Sequence, residues 1–542
     1  MAKQESGTIE RLISKFFGGI TRDEKSRIIG SCFNCEEIDI FKNADYIEAE
    51  QINSADSMPT ETEIYAYAAG DNDVIYGYGQ KTTATVGTVR IVETDNADGG
   101  SDNPSAFVAL FTSSDTTNLA TLISDLKFLR TTEASNPTSL YYIKGTSTTW
   151  YLVRYNIGAN EEQVWGESSW AAGAVGANTQ LTGLDGSFDR PTMKVIFGEF
   201  YICNGQYIAK VDKDGVLTEK KFTLPKEWEA VDIIGVADIF LILCRNKNRL
   251  ANYSKGFWWD GISDSQFNDS FSLPNGVPLW IVNHQERIKI ACASNGGAAT
   301  TTNGVLRFFQ LSGAFPGAVP VELPGIALPN IQAEASTQPI SSPKMVAEKD
   351  KILYFGLYKN DKTGIYALGQ LDADKPNALI LSKRFTTSAS DYSTHKPTAL
   401  HIQGPNYYAA YYNGSANVNA RCESNNSPNR SSDAVYESVF IDEGDARIDK
   451  TFQEVGVLTK PLAASTTITL SVAKNYGSYS TVTRPNATNF TGTNAMLGLF
   501  LPGVKGKVLQ IRIAFTSSGV NSPKITGIYY KILTSPTYKD GA

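Results

Sequence analysis

Short apolar runs, separated by turn residues, recur along most of the chain. Seven of them are followed by a turn or loop rich in Gly, Asn, Thr or Lys and then by a second apolar run. The first runs are marked by Ile75, Tyr141, Tyr201, Leu241, Ile290, Tyr354 and Tyr408, and their partners read TVRIVE, WYLVRY, YIAKVD, RLANYS, VLRFFQ, IYALGQ and VNARCE. Such pairs predict β-hairpins, because short apolar runs bounded by turn residues favour strands.

The hairpins repeat at a loose period. Neighbouring markers stand between 40 residues (Tyr201 to Leu241) and 66 residues (Ile75 to Tyr141) apart, near the roughly 40–50 residues of a propeller blade. A hairpin that is apolar on both faces cannot cover itself, so neighbouring blades must stack around an axis. The pattern predicts an all-β protein with an irregular β-propeller of about six to eight blades over residues 55–430. Several stacked β-sandwiches are the alternative.

The amino-terminal residues show a helical period instead. Apolar side chains recur at helical spacing before Gly18 and Gly19 interrupt the pattern, at Ile9, Leu12, Ile13, Phe16 and Phe17. This predicts a short amphipathic helix within an extended arm over residues 1–54. A helix of this length is marginal alone, so its apolar stripe must dock on its own chain or on a neighbouring subunit. We therefore assign these five residues as an assembly contact. A second helical pattern runs from Asn118 to Arg130, where an inserted strand is the alternative.

Beyond a polar stretch from Cys422 to Ala434 the rhythm changes. Five strand candidates follow, most of them with alternating apolar and polar residues: VYESVFIDEG, TFQEVGVLTK, TTITLSVAKN, GKVLQIRIAFTSSG and SPKITGIYYKIL. Alternation of this kind predicts sheets with one inner and one outer face, hence a β-sandwich over residues 431–535. Residues 536–542 are expected to form a flexible tail.

Composition and charge narrow the function classes. The 49 basic and 56 acidic residues give a net charge of −7, which provides no general electrostatic footprint for nucleic acid. No apolar run is long enough to span a membrane, and the start lacks the pattern of a secretory signal. The six cysteines do not form a disulfide framework. Cys32 and Cys35 form a lone CxxC, without the second pair that a zinc site needs.

Candidate chemistry is sparse. The three histidines, His284, His395 and His401, lie in no hydrolase or metalloprotease motif. Acidic loops could hold calcium, but turn residues explain them first: Asp212 and Asp214, Asp372 and Asp374, Asp442, Glu443 and Asp445. Trp258 and Trp259 form either an aromatic platform or core. We predict no catalytic, cofactor or metal site, and a protein that is not an enzyme. A propeller glycosidase stays an alternative, because the distance between paired carboxylates is invisible in the sequence.

The order of parts resembles a known group. The segments FFGGITRDEKSR, RPTMKVIFGEFYICNGQYIAKVD, VADIFLILCRNKNRL, WWDGISDSQFND and GKVLQIRIAFTSSGVNSPKITGIYYKI are similar to parts of structural proteins of tailed-bacteriophage virions. The likeness is to propeller-containing tail proteins, including the tail-nozzle proteins of short-tailed phages, which pair a propeller-like body with a terminal β-sandwich. No binding or catalytic residues carry over, because the family pattern defines none.

This resemblance implies a virion subunit in a ring around the tail axis. Its partners would be copies of itself and other tail or neck proteins, with host surface glycan as a further candidate. DNA would pass nearby without specific binding during genome ejection. The protein would be made and assembled in the bacterial cytoplasm and reside in the virion tail. Two alternatives stay open, a receptor- or glycan-binding virion protein and a propeller glycosidase.

Overall fold

The computed structural model of the chain is built almost wholly of β-strands. It describes residues 8–16, 18–21, 31–51, 54–55, 62–71, 73–83, 86–94, 107–112, 125–132, 138–146, 149–165, 169–172, 191–248, 253–273, 276–294, 304–331, 340–359, 362–372, 375, 377–384, 396–404, 406–412, 417–422, 429–443, 447–482, 496–497 and 500–534. Among these residues the one helical element is a 3₁₀ turn at Pro343–Met345. No helix in this part of the chain could cross a membrane.

Six short strands precede the repeats. They are β1 (Thr8–Ile13), β2 (Gly19–Ile20), β3 (Ser31–Glu36), β4 (Ile38–Asp39), β5 (Glu48–Ala49) and β6 (Ser54–Ala55).

Seven antiparallel blades follow, each built as a meander of consecutive strands. Blade 1 contains β7 (Thr62–Ala69), β8 (Ile75–Thr83), β9 (Val86–Thr94) and β10 (Phe107–Thr112); blade 2 contains β11 (Leu126–Arg130), β12 (Thr138–Thr146), β13 (Thr149–Asn156), β14 (Glu161–Trp165) and β15 (Trp170–Ala172). Blade 3 contains β16 (Thr192–Ile196), β17 (Glu199–Asn204), β18 (Tyr207–Val211) and β19 (Leu217–Thr223); blade 4 contains β20 (Trp228–Val236), β21 (Ile239–Asn246), β22 (Ser254–Trp259) and β23 (Asp269–Leu273). Blade 5 contains β24 (Val277–His284), β25 (Arg287–Ser294), β26 (Gly304–Ser312) and β27 (Val319–Ile331); blade 6 contains β28 (Val346–Lys349), β29 (Ile352–Leu357), β30 (Gly364–Gly369) and β31 (Ala378–Arg384). Blade 7 contains β32 (Lys396–Gln403), β33 (Asn406–Tyr412) and β34 (Asn417–Cys422).

The apolar markers occupy the same place in every blade. Each lies in the second strand, where both faces pack on neighbouring blades, as in β21, which is buried from Phe240 to Asn246. The third strand is the predicted partner run in six blades. Blade 4 differs: its third strand is β22, with the sequence SKGFWW, and not RLANYS. Phe257 and both tryptophans of β22 are buried, so the aromatic run supplies the core contacts that the more polar RLANYS could not.

The blades close into a ring. Innermost strands of successive blades contact one another, blade 5 reaches blade 6 through the 3₁₀ turn, and β32 of blade 7 contacts β7 of blade 1. Blade 7 takes its outermost strand from the amino-terminal side, since β6 pairs with β34. The predicted β-propeller is therefore confirmed, with seven blades in the described residues.

The carboxy-terminal strands form the predicted sandwich. They are β35 (Val435–Ser438), β36 (Lys450–Thr459), β37 (Thr467–Lys474), β38 (Ser480–Thr481), β39 (Met496–Leu497), β40 (Phe500–Gly506), β41 (Leu509–Thr516) and β42 (Ile525–Thr534). One sheet has the order β1-β42-β36-β39, with β40 also on β36. The other runs β3-β35-β41-β37-β38. Alternate residues of β41 and β42, such as Ile511, Ile513, Ile528 and Ile532, meet in the core between them.

The amino-terminal residues are part of these sheets, which corrects the prediction of a helix. β1 pairs with β42 over six residues, from Thr8 opposite Leu533 to Ile13 opposite Ile528. Antiparallel pairing supplies backbone hydrogen bonds that an isolated short helix could not keep in water. β3 lies between β35 and β31, the outer strand of blade 6, so one ten-stranded sheet joins propeller and sandwich.

Candidate functional site

Two buried aspartates, Asp125 and Asp232, lie beside or within the innermost strands of the propeller. Asp125, just before β11 of blade 2, accepts hydrogen bonds from the backbone N–H of Leu126 (2.9 Å) and of Met193 in blade 3 (3.3 Å). Lys127 Nζ lies 2.9 Å from the same carboxylate. Asp125 is 1% exposed, so these donors replace the water that the carboxylate would otherwise bind.

Asp232 repeats this arrangement two blades further on. Its carboxylate accepts the N–H of Ile233 (2.9 Å) and the N–H of Ile281 in blade 5 (3.0 Å). Lys194 of blade 3 places its Nζ 3.4 Å away. Burial raises the pKa of Asp232, and Lys194 and the two N–H donors oppose that rise.

Buried polar side chains of the innermost strands connect one blade to the next. Asp125 joins blade 2 to blade 3, and Asp232 joins blade 4 to blade 5. Threonines make two further links: Thr192 Oγ1 donates to Val231 O (2.7 Å), and Thr398 Oγ1 donates to Ile64 O (2.7 Å) across the closure of the ring. A carboxylate that is fully buried and bonded to backbone can position blades, but it cannot reach a bound substrate in this arrangement. No sequence motif distinguishes Asp125 or Asp232 from other aspartates of the chain.

Two of the three histidines also lie on innermost strands. His284 ends β24, and its Nδ1 lies 3.3 Å from Glu348 Oε2 of blade 6. Burial, followed by Lys289, lowers the pKa of His284. Burial, followed by Lys127, lowers the pKa of His401 in blade 7 to about 4. Both imidazoles are therefore neutral near pH 7. His395 lies outside the described residues.

A second buried charged group lies between blades 1 and 2. Lys144 is completely buried, and its Nζ lies 3.3 Å from Glu162 Oε2. The Tyr142 hydroxyl donates to the same carboxylate, and Tyr78 donates to Ile143 O at 3.1 Å. Burial, followed by Glu162, raises the pKa of both tyrosines. The sequence signal was a lysine inside the apolar strand LYYIKG. Since each group has a protein partner, the arrangement is that of a satisfied buried ion pair.

The cysteines and tryptophans are core residues. Cys203, Cys244 and Cys292 are buried and unbridged, and burial raises the pKa of each thiol, that of Cys292 to about 12. Such thiols are inert as nucleophiles at neutral pH. Trp258 and Trp259 are both fully buried, so they form core and no aromatic platform.

Cys32 and Cys35 face the same side of β3. A regular strand would send residues three apart to opposite faces, but the pairing with β35 shifts register between Cys32 and Asn34. Both thiols are buried and unbridged. Burial, followed by the neighbouring Cys32, raises the pKa of Cys35.

The acidic loop around Asp212 is a turn. Asp212 Oδ1 accepts the N–H groups of Asp214 and Val216, each at 2.9 Å, which is the usual role of aspartate in a turn. Asp374 and Asp445 lie outside the described residues. No group of three or more metal-ligating side chains occurs among the residues that are described.

The five residues assigned to assembly do not form one stripe. Phe16 is buried at 4% exposure, where its ring meets Tyr436 edge-on at 5.5 Å. Ile9 and Ile13 are half-buried on β1. Leu12 points to the other face and is 52% exposed. Phe17 lies outside the described residues. Of the four described side chains, Leu12 is the most exposed and offers apolar surface to a partner.

No protein-family model matches the sequence, and no curated protein matches it. Solved structures with a similar fold include the exo-β-1,3-galactanase of Phanerochaete chrysosporium, at 9% identity and a TM-score of 0.31, over 89% of this chain and 99% of the other. Drosophila semaphorin 2a is similar at 7% identity and a TM-score of 0.40, over 83% and 93%. The amino-terminal domain of Nup159 is similar at 9% identity and a TM-score of 0.39, over 71% and 98%. Likenesses this distant assign no substrate or partner.

These comparisons correct one prediction. We predicted a protein that is not an enzyme, but glycoside hydrolases are among the similar structures.

Proposed function

We propose that the chain is a structural subunit of a bacteriophage tail. Copies would form part of a ring or tip assembly around the DNA channel through subunit–subunit contacts, together with other tail or neck proteins. The resemblance of the amino-terminal, hairpin and carboxy-terminal segments to tail proteins supports this proposal. The observation that carries it is the edge strand β1.

Strand β1 combines two features of an assembly surface. It is the last strand of its sheet among the described residues, with β42 on one side only. An edge strand leaves backbone N–H and C=O groups that a strand from another chain can pair with. The same strand carries the exposed Leu12. Backbone pairing and apolar contact are therefore offered together.

Ion pairs hold this edge in place. Glu10 Oε1 lies 2.8 Å from Lys531 Nζ on β42, and Arg11 reaches Glu443 at 3.4 Å. These contacts fix the inner side of β1 and leave its outer side for a neighbour. A contact between two different surfaces closes into a ring when the rotation between copies is right, which is the symmetry that a subunit around a tail axis requires.

The test compares two substitutions of matched exposure. Leu12→Asp places a charge on β1, where Leu12 is 52% exposed, and Val520→Asp places one elsewhere on the sandwich, where Val520 is 54% exposed. We expect the unchanged chain and the Val520 variant to form a discrete ring by mass photometry or on tails, and to be incorporated into phage particles. We expect the Leu12 variant to fold but to be lost from both.

Two outcomes would argue against this. Normal assembly of the Leu12 variant would show that β1 is not the contact. A chain that stays monomeric and is absent from particles raised in the infected host would overturn the structural role itself.

A further inference from the structure

One end of the sandwich carries aromatic rings beside lysines. Phe33 on β3, Phe440 after β35 and Tyr476 after β37 form a continuous group, with ring centroids 5.4 Å apart for the first pair and 4.6 Å for the second. Phe33 is 45% exposed and Tyr476 is 59% exposed. We call these residues, together with Lys474, Lys505 and Lys507, the aromatic–lysine patch.

The turn after β37 assembles this patch. Asn475 and Tyr476 both have positive φ (49° and 63°), which folds the chain sharply back at the end of the strand. Asn475 Oδ1 accepts the N–H of Lys507 at 2.7 Å, so the turn is fixed on the link between β40 and β41. This hydrogen bond places Lys507 beside the turn, with Lys505 two residues earlier on β40 and Lys474 at the end of β37. All three lysines are exposed.

The lysines are not neutralised by the protein. None of the three forms an ion pair among the described residues. The nearby carboxylate of Glu437 lies 3.6 Å from Arg512 Nε. Asp449 is exposed next to Lys450, which pairs with Gly506. The patch therefore has a local positive charge on a chain whose net charge is −7.

We propose that the aromatic–lysine patch binds an anionic glycan. Sugar rings present C–H faces that pack on exposed aromatic rings, and carboxylate, sulfate or phosphate groups on the sugar would pair with the lysine ammonium groups. A single-stranded nucleic acid fits less well, because successive bases need parallel stacking faces. Here neighbouring rings are inclined by 61° and 56°. The inference does not depend on the assembly proposal, since no residue of the patch lies on β1.

The experiment uses the full chain and three probes. Calorimetric titration is carried out with a galacturonate hexasaccharide, a neutral glucose hexasaccharide and a short oligo(dT). We expect binding of the galacturonate probe that weakens as salt is raised, because ion pairing at an exposed surface is screened. The neutral sugar and the oligo(dT) should bind at least about tenfold more weakly.

Two variants locate the binding to the patch, each with a matched control. Tyr476→Asn removes the ring and keeps a residue that tolerates positive φ. Its control is Phe197→Asn, since Phe197 is also 59% exposed, with φ 54°. Lys474, Lys505 and Lys507 are together changed to Gln, with Lys213, Lys220 and Lys226, also exposed, as the control set. We expect about tenfold weaker galacturonate binding in each patch variant, which corresponds to about 1.4 kcal/mol, and unchanged binding in the controls.

Several results would overturn the proposal. If the neutral sugar bound as tightly as the galacturonate probe, the lysine charges would not contribute to recognition. If oligo(dT) bound more tightly than the galacturonate probe, the ligand of the patch would be nucleic acid. Absence of galacturonate binding, or equal losses in patch and control variants, would remove the site. Melting curves of each variant separate lost binding from lost folding.

Discussion

At the scale of single residues, the buried polar groups of the propeller hold neighbouring blades in position. Asp125 and Asp232 each accept a hydrogen bond from a backbone N–H group of the next blade. The lysine beside each carboxylate offsets the cost of burying its charge. For His401, on the innermost strand of blade 7, burial and then Lys127 lower the pKa. Protonation of this histidine therefore opposes folding.

His401 makes the stability of the fold depend on pH. Burial, followed by Lys127, lowers its pKa to about 4, whereas the unfolded chain has the ordinary histidine value of about 6.5. As pH falls through this window the unfolded state binds the proton first, so stability is lost between about pH 6.5 and pH 4. We expect this residue to account for about 2 kcal/mol of the loss between about pH 7 and pH 4.5.

The measurement is urea unfolding at both pH values for the unchanged chain and for His401→Gln. His284 is present in both proteins, so it cancels in the comparison. The variant should lose less stability on acidification by the amount stated. An identical pH dependence in the two proteins would show that His401 is not desolvated in the fold.

At the scale of elements, two-residue turns and one central strand decide the arrangement. Several hairpin tips use residues with positive φ: Phe197 and Gly198, Gln285 and Glu286, Asp350 and Lys351. These turns match the twist of the strands. Gly205, after β17, also has positive φ (58°), and glycine adopts it without strain. Gln285 and Glu286 are not turn formers, so the pairing of the flanking strands imposes their conformation.

Strand β3 connects the propeller to the sandwich, since it pairs with β31 of blade 6 on one side and with β35 on the other. A proline at Asn34 removes a backbone N–H from a central strand, and leaving a buried hydrogen-bonding partner unsatisfied costs about 1–3 kcal/mol. We expect Asn34→Pro to lower the free energy of unfolding by that amount. Thr8→Pro is the control, because Thr8 is the first residue of the edge strand β1, where proline is tolerated.

Guanidinium unfolding followed by circular dichroism measures both variants. Equal, small effects of the two prolines would contradict the central position of β3. A large effect of Thr8→Pro alone would show that β1 carries more of the stability than its edge position suggests.

At the scale of the whole molecule, the propeller and the sandwich share one sheet and one apolar core. The ten-stranded sheet passes from blade 6 through β3 into the sandwich, and one apolar cluster contains residues of both, such as Phe355, Tyr366 and Ile511. The sandwich takes strands from both ends of the sequence. Neither part can therefore complete its sheets without the other.

We expect the two parts to unfold in one transition. All seven tryptophans lie between Trp150 and Trp280, so their fluorescence reports on the propeller alone. Hydrogen exchange of β37 and β41 reports on the sandwich. Coincident midpoints in denaturant are expected because the shared sheet couples the two parts. Two separated transitions would show that β3 does not couple them.

The sequence by itself determined the repeating part of the fold. The second strands of the blades, such as β21 and β25, and their turn-bounded partners bury both faces. Strands buried on both faces need continuous apolar runs, and such runs are visible in the local sequence. The alternating residues of β41 and β42 likewise predicted a sandwich. Local pattern and tertiary structure agree there because each strand packs in the way its own residues favour.

Only the tertiary structure decided the rest. The segment with Ile9, Leu12 and Ile13 fits a helical period, yet it is a strand because β42 offers it six paired residues. The local sequence does not distinguish Asp232 from other polar residues in strands. Its role depends on the hydrogen bond that it accepts from the N–H of Ile281 in blade 5. The aromatic–lysine patch joins residues from Phe33 to Lys507. Such sites depend on contacts between residues hundreds of positions apart, which no local pattern records.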